Sequence, residues 1–314
     1  MKEKSIAILG IGGVGGFIGA KILANREDDS IKLDFISRGT TYENIKSKGL
    51  IFTSPDKEVV LNPDDLLLSG KVEVPYDLVI LATKSQSMEN AIIENQSIFC
   101  ENTLVLPLQN MVNAAQCVRS LVEKSEVLDA CIYLISNVQN PGHIKHLGGP
   151  GKVIVGKPLT DKFDWAFEYL NQCGVPLMLV SDIDTHLWKK FLFISSLGTL
   201  SAAQDVTLGE IRANPKLKKL WRCLMEELIQ LAQTRGVPID NSDLMAALEM
   251  LSNFPTTAKS SFQLDIEKGL PGEKSTLVDE VISDSLENGL TCPYYQTMEE
   301  KITIRLKNIS HGTT

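Results

Sequence analysis

Short apolar runs alternate with amphipathic stretches through the first half of the chain. Ser5–Gly10 (SIAILG) is a continuous apolar run that stops at a glycine, the pattern of a buried strand. Gly12–Ala24 follows, with small residues first and then Phe17, Ile18, Ile22 and Leu23 at helical spacing. Ile31–Ser37 predicts a second strand. Asp77–Thr83 (DLVILAT) predicts a third, with the unbroken hydrophobicity of a central parallel strand, and Thr103–Pro107 (TLVLP) a fourth. Helical stretches lie between them, around 85–97 and 111–123. Glu126–Val138, with Val153–Gly156, predicts the far edge of the same sheet, and Pro141–Gly142 and Gly148–Gly151 read as turns. Asp161–Cys173 predicts a helix and Pro176–Val180 a last short strand.

The pattern changes after Ser181. Ser181–Asp182 can cap a long helix through Leu187, Trp188, Phe191, Leu192 and Ile194. Beyond it only helical periodicity remains, most clearly at Pro215–Arg235, Asn241–Leu251 and Ser275–Asn288. The expected fold is therefore α/β: a Rossmann-type doubly wound sheet over 1–181, then an all-α domain over 182–314. There is no internal repeat and no low-complexity segment.

Composition narrows the function. The 314 residues are 43% hydrophobic and 22% charged, close to the globular average. A formal charge of −8 argues against nucleic acid as the main partner, because phosphate backbones call for a basic face. The sequence shows no apolar run long enough for a membrane span and no secretory leader pattern. The six cysteines contain no Cys-x-x-Cys pair and read as buried thiols in a reducing, cytoplasmic setting. His143-x-x-His146 lacks a carboxylate or cysteine companion. It reads as a polar loop, so no metal site is expected.

Gly10-Ile11-Gly12-Gly13-Val14-Gly15 fits G-x-G-x-x-G between a strand and a helix. In such a motif the first glycine makes the tight turn, the second admits a pyrophosphate to the backbone, and the third lets helix pack on strand. The open N–H groups at the helix start then meet the phosphates. The end of the second strand selects the dinucleotide. NAD enzymes usually put a carboxylate there for the ribose hydroxyls. This chain has Ser37-Arg38-Gly39 instead, and Asp34 lies too early in the strand. Arg38 can pair with a 2′-phosphate and Ser37 can add a hydrogen bond, so NADP(H) is expected.

Reducing a carbonyl needs a proton donor and groups that hold the substrate against the cofactor. Lys84 stands one residue past DLVILAT, and Asn110 a few residues past TLVLP. Both sit at the carboxyl edge of the predicted sheet, where ligands of open α/β folds bind. Taken singly, each also fits an ordinary loop residue. In the helical half, Lys190 lies on the face of His186 and Ile194 beside apolar Phe191, while Lys189 falls on the neighbouring face. A partly buried lysine is brought towards the working range by desolvation; a snorkelling surface lysine fits the same pattern. Ser260-Ser261 opens a helix ending near Lys268-Gly269. Glu273 then begins the next helix, where the dipole favours a carboxylate.

In this order the motifs resemble the ketopantoate reductase (2-dehydropantoate 2-reductase) family over essentially the whole chain. They are the glycine motif, the strand ending in Arg38, Thr83-Lys84, Gln109-Asn110, Leu187-Trp188-Lys189-Lys190, and Ser260-Ser261 with Asp265-Ile266 and Glu273. The resemblance implies NADPH-dependent reduction of ketopantoate to pantoate, on the way to pantothenate and coenzyme A. It implies Lys190 as general acid, with Glu273 binding the substrate hydroxyl and orienting Lys190. Asn110 and Lys84 would position nicotinamide and substrate, and Ser261 would hold the carboxylate. The implied cofactor set is Gly10, Gly12, Gly13, Val14, Gly15, Ser37, Arg38, Lys84, Asn110 and Glu273. The expected partner is a small 2-oxo acid, and a homodimer is compatible with the family. Two positions depart from it: Ile194 and Ala258 stand where the family often has asparagine. They leave open a related reductase of another 2-oxo acid, ketone or imine. A non-catalytic NADPH sensor is a further reading, opposed by the presence of Lys190, Asn110 and Glu273 together.

Overall fold

A computed structural model describes residues 4–27 and 30–311. It divides into two compact bodies. One holds residues up to Gln109 and then Asn113–Ile183; the other holds Asn110–Val112 and the residues from Asp184 onward.

The first body is α/β. Its strands are β1 (Lys4–Leu9), β2 (Ile31–Ser37), β3 (Leu50–Thr53), β4 (Glu58–Leu61), β5 (Asp65–Leu68), β6 (Leu78–Leu81), β7 (Leu104–Pro107), β8 (Glu126–Val127), β9 (Ala130–Asn140), β10 (His143–Gly156) and β11 (Leu177–Val180). Its helices are α1 (Gly13–Asn25), α2 (Gly39–Lys48), α3 (Ser85–Glu94), α4 (Ala114–Arg119) and α5 (Asp164–Gln172). A six-stranded parallel sheet runs β5-β2-β1-β6-β7-β8. The chain order reverses between β1 and β6, so the carboxyl ends of these two strands flank the crevice where such sheets bind ligands. β1, β6 and β7 lie in the middle and are apolar at almost every position, as strands covered on both faces must be.

A second sheet runs β11-β10-β3-β4, with β9 antiparallel to β10. This corrects three expectations. The six-stranded sheet ends at the two-residue β8, and β9 with β10 forms a hairpin in the other sheet rather than a far edge. Gly148–Gly151 is not a turn. β10 continues through it as a bulge, with Gly148, Gly149 and Gly151 at positive φ and the register against β9 slipping there. His143 and His146 therefore belong to a strand, not a loop. His143 Nε2 lies 2.8 Å from Thr53 Oγ1, and His146 Nε2 lies 3.0 Å from the Gly148 carbonyl. α1 packs against both sheets, Gly16 meeting Ile144 of β10 and Gly19 meeting Phe35 of β2. The apolar side chains of both sheets and of α1 and α5 form one continuous core.

The longer regular elements described in the second body are all helices: α6 (Ile183–Gln204), α7 (Leu208–Ala213), α8 (Pro215–Thr234), α9 (Asn241–Met250), α10 (Ser261–Glu267), α11 (Glu280–Glu287) and α12 (Pro293–His311). α6 is buried along most of its length from Leu187 to Ala203, as the central helix of a helical core must be. Trp221 and Leu228 of α8 and Tyr295 and Ile302 of α12 complete that core. Trp221 Nε1 donates to Ser196 Oγ at 2.8 Å, which satisfies the one polar atom of the indole. α8 starts sharply because Asn214 caps it and proline occupies its first position. Glu273 precedes the next helix rather than beginning it: the helical backbone starts at Lys274 and winds through a π turn, Ser275–Asp279, into α11.

The six cysteines form no disulfide. Cys131, Cys173 and Cys292 are buried and the other three half-buried. Among the described residues no helix is long and apolar enough to cross a membrane, and no group of His, Cys, Asp and Glu is arranged to hold a metal.

Candidate active site

In the first body an open cleft of about 230 Å³ lies at the carboxyl ends of β1, β2 and β6. Gly10, Ile11, Gly12, Ser37, Arg38 and Lys84 are among its lining residues. The glycine motif makes this cleft by close approach. Gly10 sits at φ +99°, a conformation that side chains disfavour, and its N–H is bonded to the Ile36 carbonyl at 3.0 Å. A Cβ on Gly15 would lie 2.1 Å from the Gly10 carbonyl oxygen, so only glycine lets α1 start so near the strand. Gly13 is also closely packed, its Cβ position lying 2.8 Å from the Ser136 carbonyl oxygen. Gly12, by contrast, would point a Cβ into open space. That space, at the first turn of a helix with unpaired N–H groups, is what a pyrophosphate requires. Val14 packs on the core beneath.

The ribose end of the cleft fits a dinucleotide as well. Ser37 is buried, and its Oγ has no hydrogen-bond partner within the protein, so a ligand oxygen would satisfy a group otherwise left unpaired. Arg38 is exposed and pairs loosely with Glu94 Oε1 at 3.6 Å, while Ser69 Oγ donates to Glu94 Oε2 at 3.2 Å. The acidic residue of β2 is committed elsewhere. Asp34 is fully buried, accepts from Tyr76 Oη at 2.5 Å and from the Asp65 N–H at 3.1 Å, and pairs with Lys32 at 3.0 Å. Burial and this carboxylate push the Tyr76 phenol well up. Lys84 is exposed at the edge of the cleft, at the residue before α3. Gln109, at the end of β7, donates to the Leu81 and Thr83 carbonyls at 3.1 and 3.2 Å and so fixes the loop that carries Lys84.

The second body brings three of the expected side chains together. Lys190, 9% exposed on α6, donates from Nζ to Asn110 Oδ1 at 2.9 Å. Asn110 Nδ2 donates to Glu273 Oε2 at 3.2 Å. The two contacts fix the amide: flipping it would set an NH₂ group against an ammonium and an oxygen against a carboxylate. Cation, amide and carboxylate thus form one polarised chain. Asn110 belongs to this body although β7 ends only a few residues before it. Ser261 stands exposed in the first turn of α10, outside the Lys190–Asn110–Glu273 chain, and its neighbour Ser260 is used as the helix cap, accepting from Gln263 N at 3.1 Å. Lys189 faces away and pairs with Asp243 at 2.8 Å. Ile194 and Ala258 are half-buried against the helical core.

Gln109 stands in the Gln109-Asn110 motif of the sequence, which does not show its role in fixing the Lys84 loop, and Glu94 is not marked in the sequence at all. Glu94 becomes relevant only through its contact with Arg38.

A parallel sheet with a glycine-rich turn at its switch point, followed by a helical body carrying a buried lysine, defines a two-body nicotinamide-dependent oxidoreductase. The profile of the family described as "Ketopantoate reductase PanE/ApbA" matches residues 6–159, and that of "Ketopantoate reductase PanE/ApbA C terminal" matches residues 182–304. The chain belongs to the ketopantoate reductase family and is an oxidoreductase acting on a keto or hydroxyl group. It is 24% identical to the "Uncharacterized oxidoreductase YkpB" of Bacillus subtilis, over 93% of this chain and 95% of that one. It is 24% identical to the 2-dehydropantoate 2-reductase of Nostoc, over 93% and 92%. The fold is that of a PanE/ApbA family ketopantoate reductase from Ralstonia eutropha, with a TM-score of 0.87, 22% identity and coverage of 97% and 99%. It is equally that of D-mandelate dehydrogenase bound to NADH and anilino(oxo)acetate, with a TM-score of 0.88, 19% identity and coverage of 98% and 99%.

Proposed function

We propose that the protein reduces a small 2-oxo acid with NADPH, and that ketopantoate is that substrate, giving pantoate. The observation that carries this reading is the chain from Lys190 through Asn110 to Glu273. A nicotinamide held in the cleft lined by Gly10, Gly12 and Lys84 would supply the hydride for the carbonyl carbon. Lys190 gives a proton to the carbonyl oxygen, so that the developing alkoxide becomes the product hydroxyl. Asn110 accepts one ammonium N–H and thereby aims the others. Glu273 holds the Asn110 amide and offers its carboxylate to a substrate hydroxyl. Ser261 is assigned to the substrate carboxylate and Lys84 to the nicotinamide side of the cleft. The preference for NADPH rests on Arg38 and the unpartnered Ser37 hydroxyl, and on Asp34 being tied up inside the sheet.

A second reading follows from Ile194 and Ala258. Apolar side chains at these positions favour a more apolar 2-oxo acid. The test is a panel of 2-oxo acids mixed with NADPH or NADH, followed by loss of reduced-cofactor absorbance. NADPH consumption with ketopantoate is expected. No turnover of ketopantoate, alongside rapid turnover of an apolar 2-oxo acid, would move the protein to the second reading.

A further inference from the structure

The backbone that follows Glu273 differs from the rest of the helical body. Ser275–Asp279 is a π turn, between Lys274 and α11. Such turns are rare, occur singly, and concentrate at functional sites. Named contacts hold this one. Lys274 Nζ donates to Asp279 Oδ1 at 2.6 Å. Residues five apart lie about 140° from each other around an α-helix, on different faces. The wider π turn brings these two onto one face, so the ion pair favours the π register. Lys274 Nζ also lies 2.7 Å from Glu299 Oε1 on α12, and Glu299 in turn accepts from Thr303 Oγ1 at 2.6 Å. The Lys274 side chain is only 15% exposed. Burial alone would lower its ammonium, but the Asp279 and Glu299 carboxylates outweigh that and raise it.

The other side of the turn is tied to α6. Ser195 Oγ donates to the Leu277 carbonyl at 2.7 Å and meets Tyr295 Oη at 2.7 Å. The Leu277 N–H is bonded to the Glu273 carbonyl at 2.9 Å. A circuit results. It runs from Lys190 on α6 through Asn110 to Glu273, along the π turn to Leu277, and back to α6 at Ser195.

We infer that Lys274 is a positioning residue: by bridging Asp279 and Glu299 it holds the π register that presents the Glu273 carboxylate to Asn110 and Lys190. This rests on the reading of Lys190, Asn110 and Glu273 as the reaction centre. Releasing the clamp lets the turn relax towards α-helical winding, which rotates Glu273 away from Asn110.

The test compares Lys274→Met, which keeps the aliphatic stem, with Lys274→Arg, in the full-length protein with NADPH and the best 2-oxo acid of the panel. Lys274→Met is expected to lower kcat by about ten- to a hundredfold, the scale of a small misplacement at a reacting centre. Its Kd for NADPH stays within about twofold of the wild type, since the dinucleotide cleft does not include it. Its pH profile loses activity at lower pH on the basic side, because the Glu273 carboxylate no longer supports the Lys190 ammonium. Lys274→Arg restores most of kcat. If Lys274→Met does not fold, Asp279→Asn, which removes the carboxylate that pairs with Lys274 across the π turn, is expected to show the same loss of kcat and the same shift of the basic limb. A wild-type kcat and pH profile in whichever variant folds would overturn the inference, even with a lowered melting temperature. Lys190→Ala is measured beside them. Its inactivity together with unimpaired Lys274→Met refutes only the role of Lys274. Normal turnover in Lys190→Ala refutes the reaction centre on which that role rests.

Discussion

Alanine at Gly15 and at Gly12 should separate folding from cofactor binding within a single motif. A methyl on Gly15 falls 2.1 Å from the Gly10 carbonyl oxygen, 3.0 Å from Ile8 Cγ2 and 3.1 Å from Ala82 Cβ. The first of these is backbone, so no side-chain rotation relieves it. Overpacking of this kind costs about 3 kcal/mol at the upper end of its range. Alanine returns up to about 1 kcal/mol inside a helix. The net loss is about 2 kcal/mol, or roughly 4–8 °C in Tm for a body of this size. Gly12 is the N-cap of α1, at φ −100° and ψ −158°, where alanine is unstrained, and its methyl meets nothing within 4 Å. Gly12→Ala should therefore lower stability by no more than about 1 kcal/mol, the scale of a weakened cap. Its methyl would occupy the space assigned to the pyrophosphate, so NADPH affinity should fall about tenfold or more, as an atom placed inside a ligand's footprint does. Thermal melts and NADPH titrations by cofactor fluorescence read both effects. Gly12→Ala that binds NADPH like the wild type would refute the placement of the cofactor. Gly15→Ala that melts like the wild type would refute the packing argument.

Three further outcomes are expected. Arg38→Ala should narrow the preference for NADPH over NADH by about 1.5–3 kcal/mol, the worth of a charge-assisted contact, and titration of both cofactors checks it; equal affinities in the wild type would remove the premise. Asp64 accepts two bonds from Arg26, at 2.8 and 3.0 Å, and one from the Leu33 N–H at 2.8 Å; burial pushes its carboxyl up, but these donors outweigh that and hold it below the usual aspartate range. Its stabilisation is then full at neutral pH and lost as the pH falls below about 4, so urea melts should show Asp64→Asn trailing the wild type at pH 7 and converging with it in acid. Ile194→Asn should raise kcat/KM for ketopantoate relative to an apolar 2-oxo acid by about 0.5–1.5 kcal/mol, and an unchanged ratio would remove position 194 from substrate recognition.

Part of this architecture is legible in the sequence. β1, β6 and β7 are dense apolar runs in sequence and buried strands in the structure, and α8 carries clear helical periodicity, whereas α6 is apolar nearly all round, as a central helix is. β3, β4 and β5 were not legible, because they are four residues each, and β4 and β5 bury none of theirs fully. The second sheet was hidden by the Gly148–Gly151 bulge, where glycines that suggest a turn let one long strand bend instead. Lys190, Asn110 and Glu273 could be singled out one by one. Their meeting could not be read from spacing, since Asn110 lies 80 residues from Lys190 and 163 from Glu273. The π turn escaped because periodicity arguments assume α-helical winding. Its only trace in the sequence is the Lys274–Asp279 pair, whose spacing fits no α-helical face.

In the proposed reaction Lys190, held by Asn110 and Glu273, protonates the carbonyl of a 2-oxo acid reduced by NADPH. Single turnover isolates that step: enzyme loaded with NADPH is mixed with ketopantoate, and the reduced cofactor is followed in wild type and in Lys190→Ala. Full oxidation of the bound NADPH is expected in the wild type. In the variant the rate should be about 10²–10⁴-fold lower, the contribution of a general acid, with NADPH affinity unchanged. A Lys190→Ala enzyme that oxidises NADPH at the wild-type rate would contradict it.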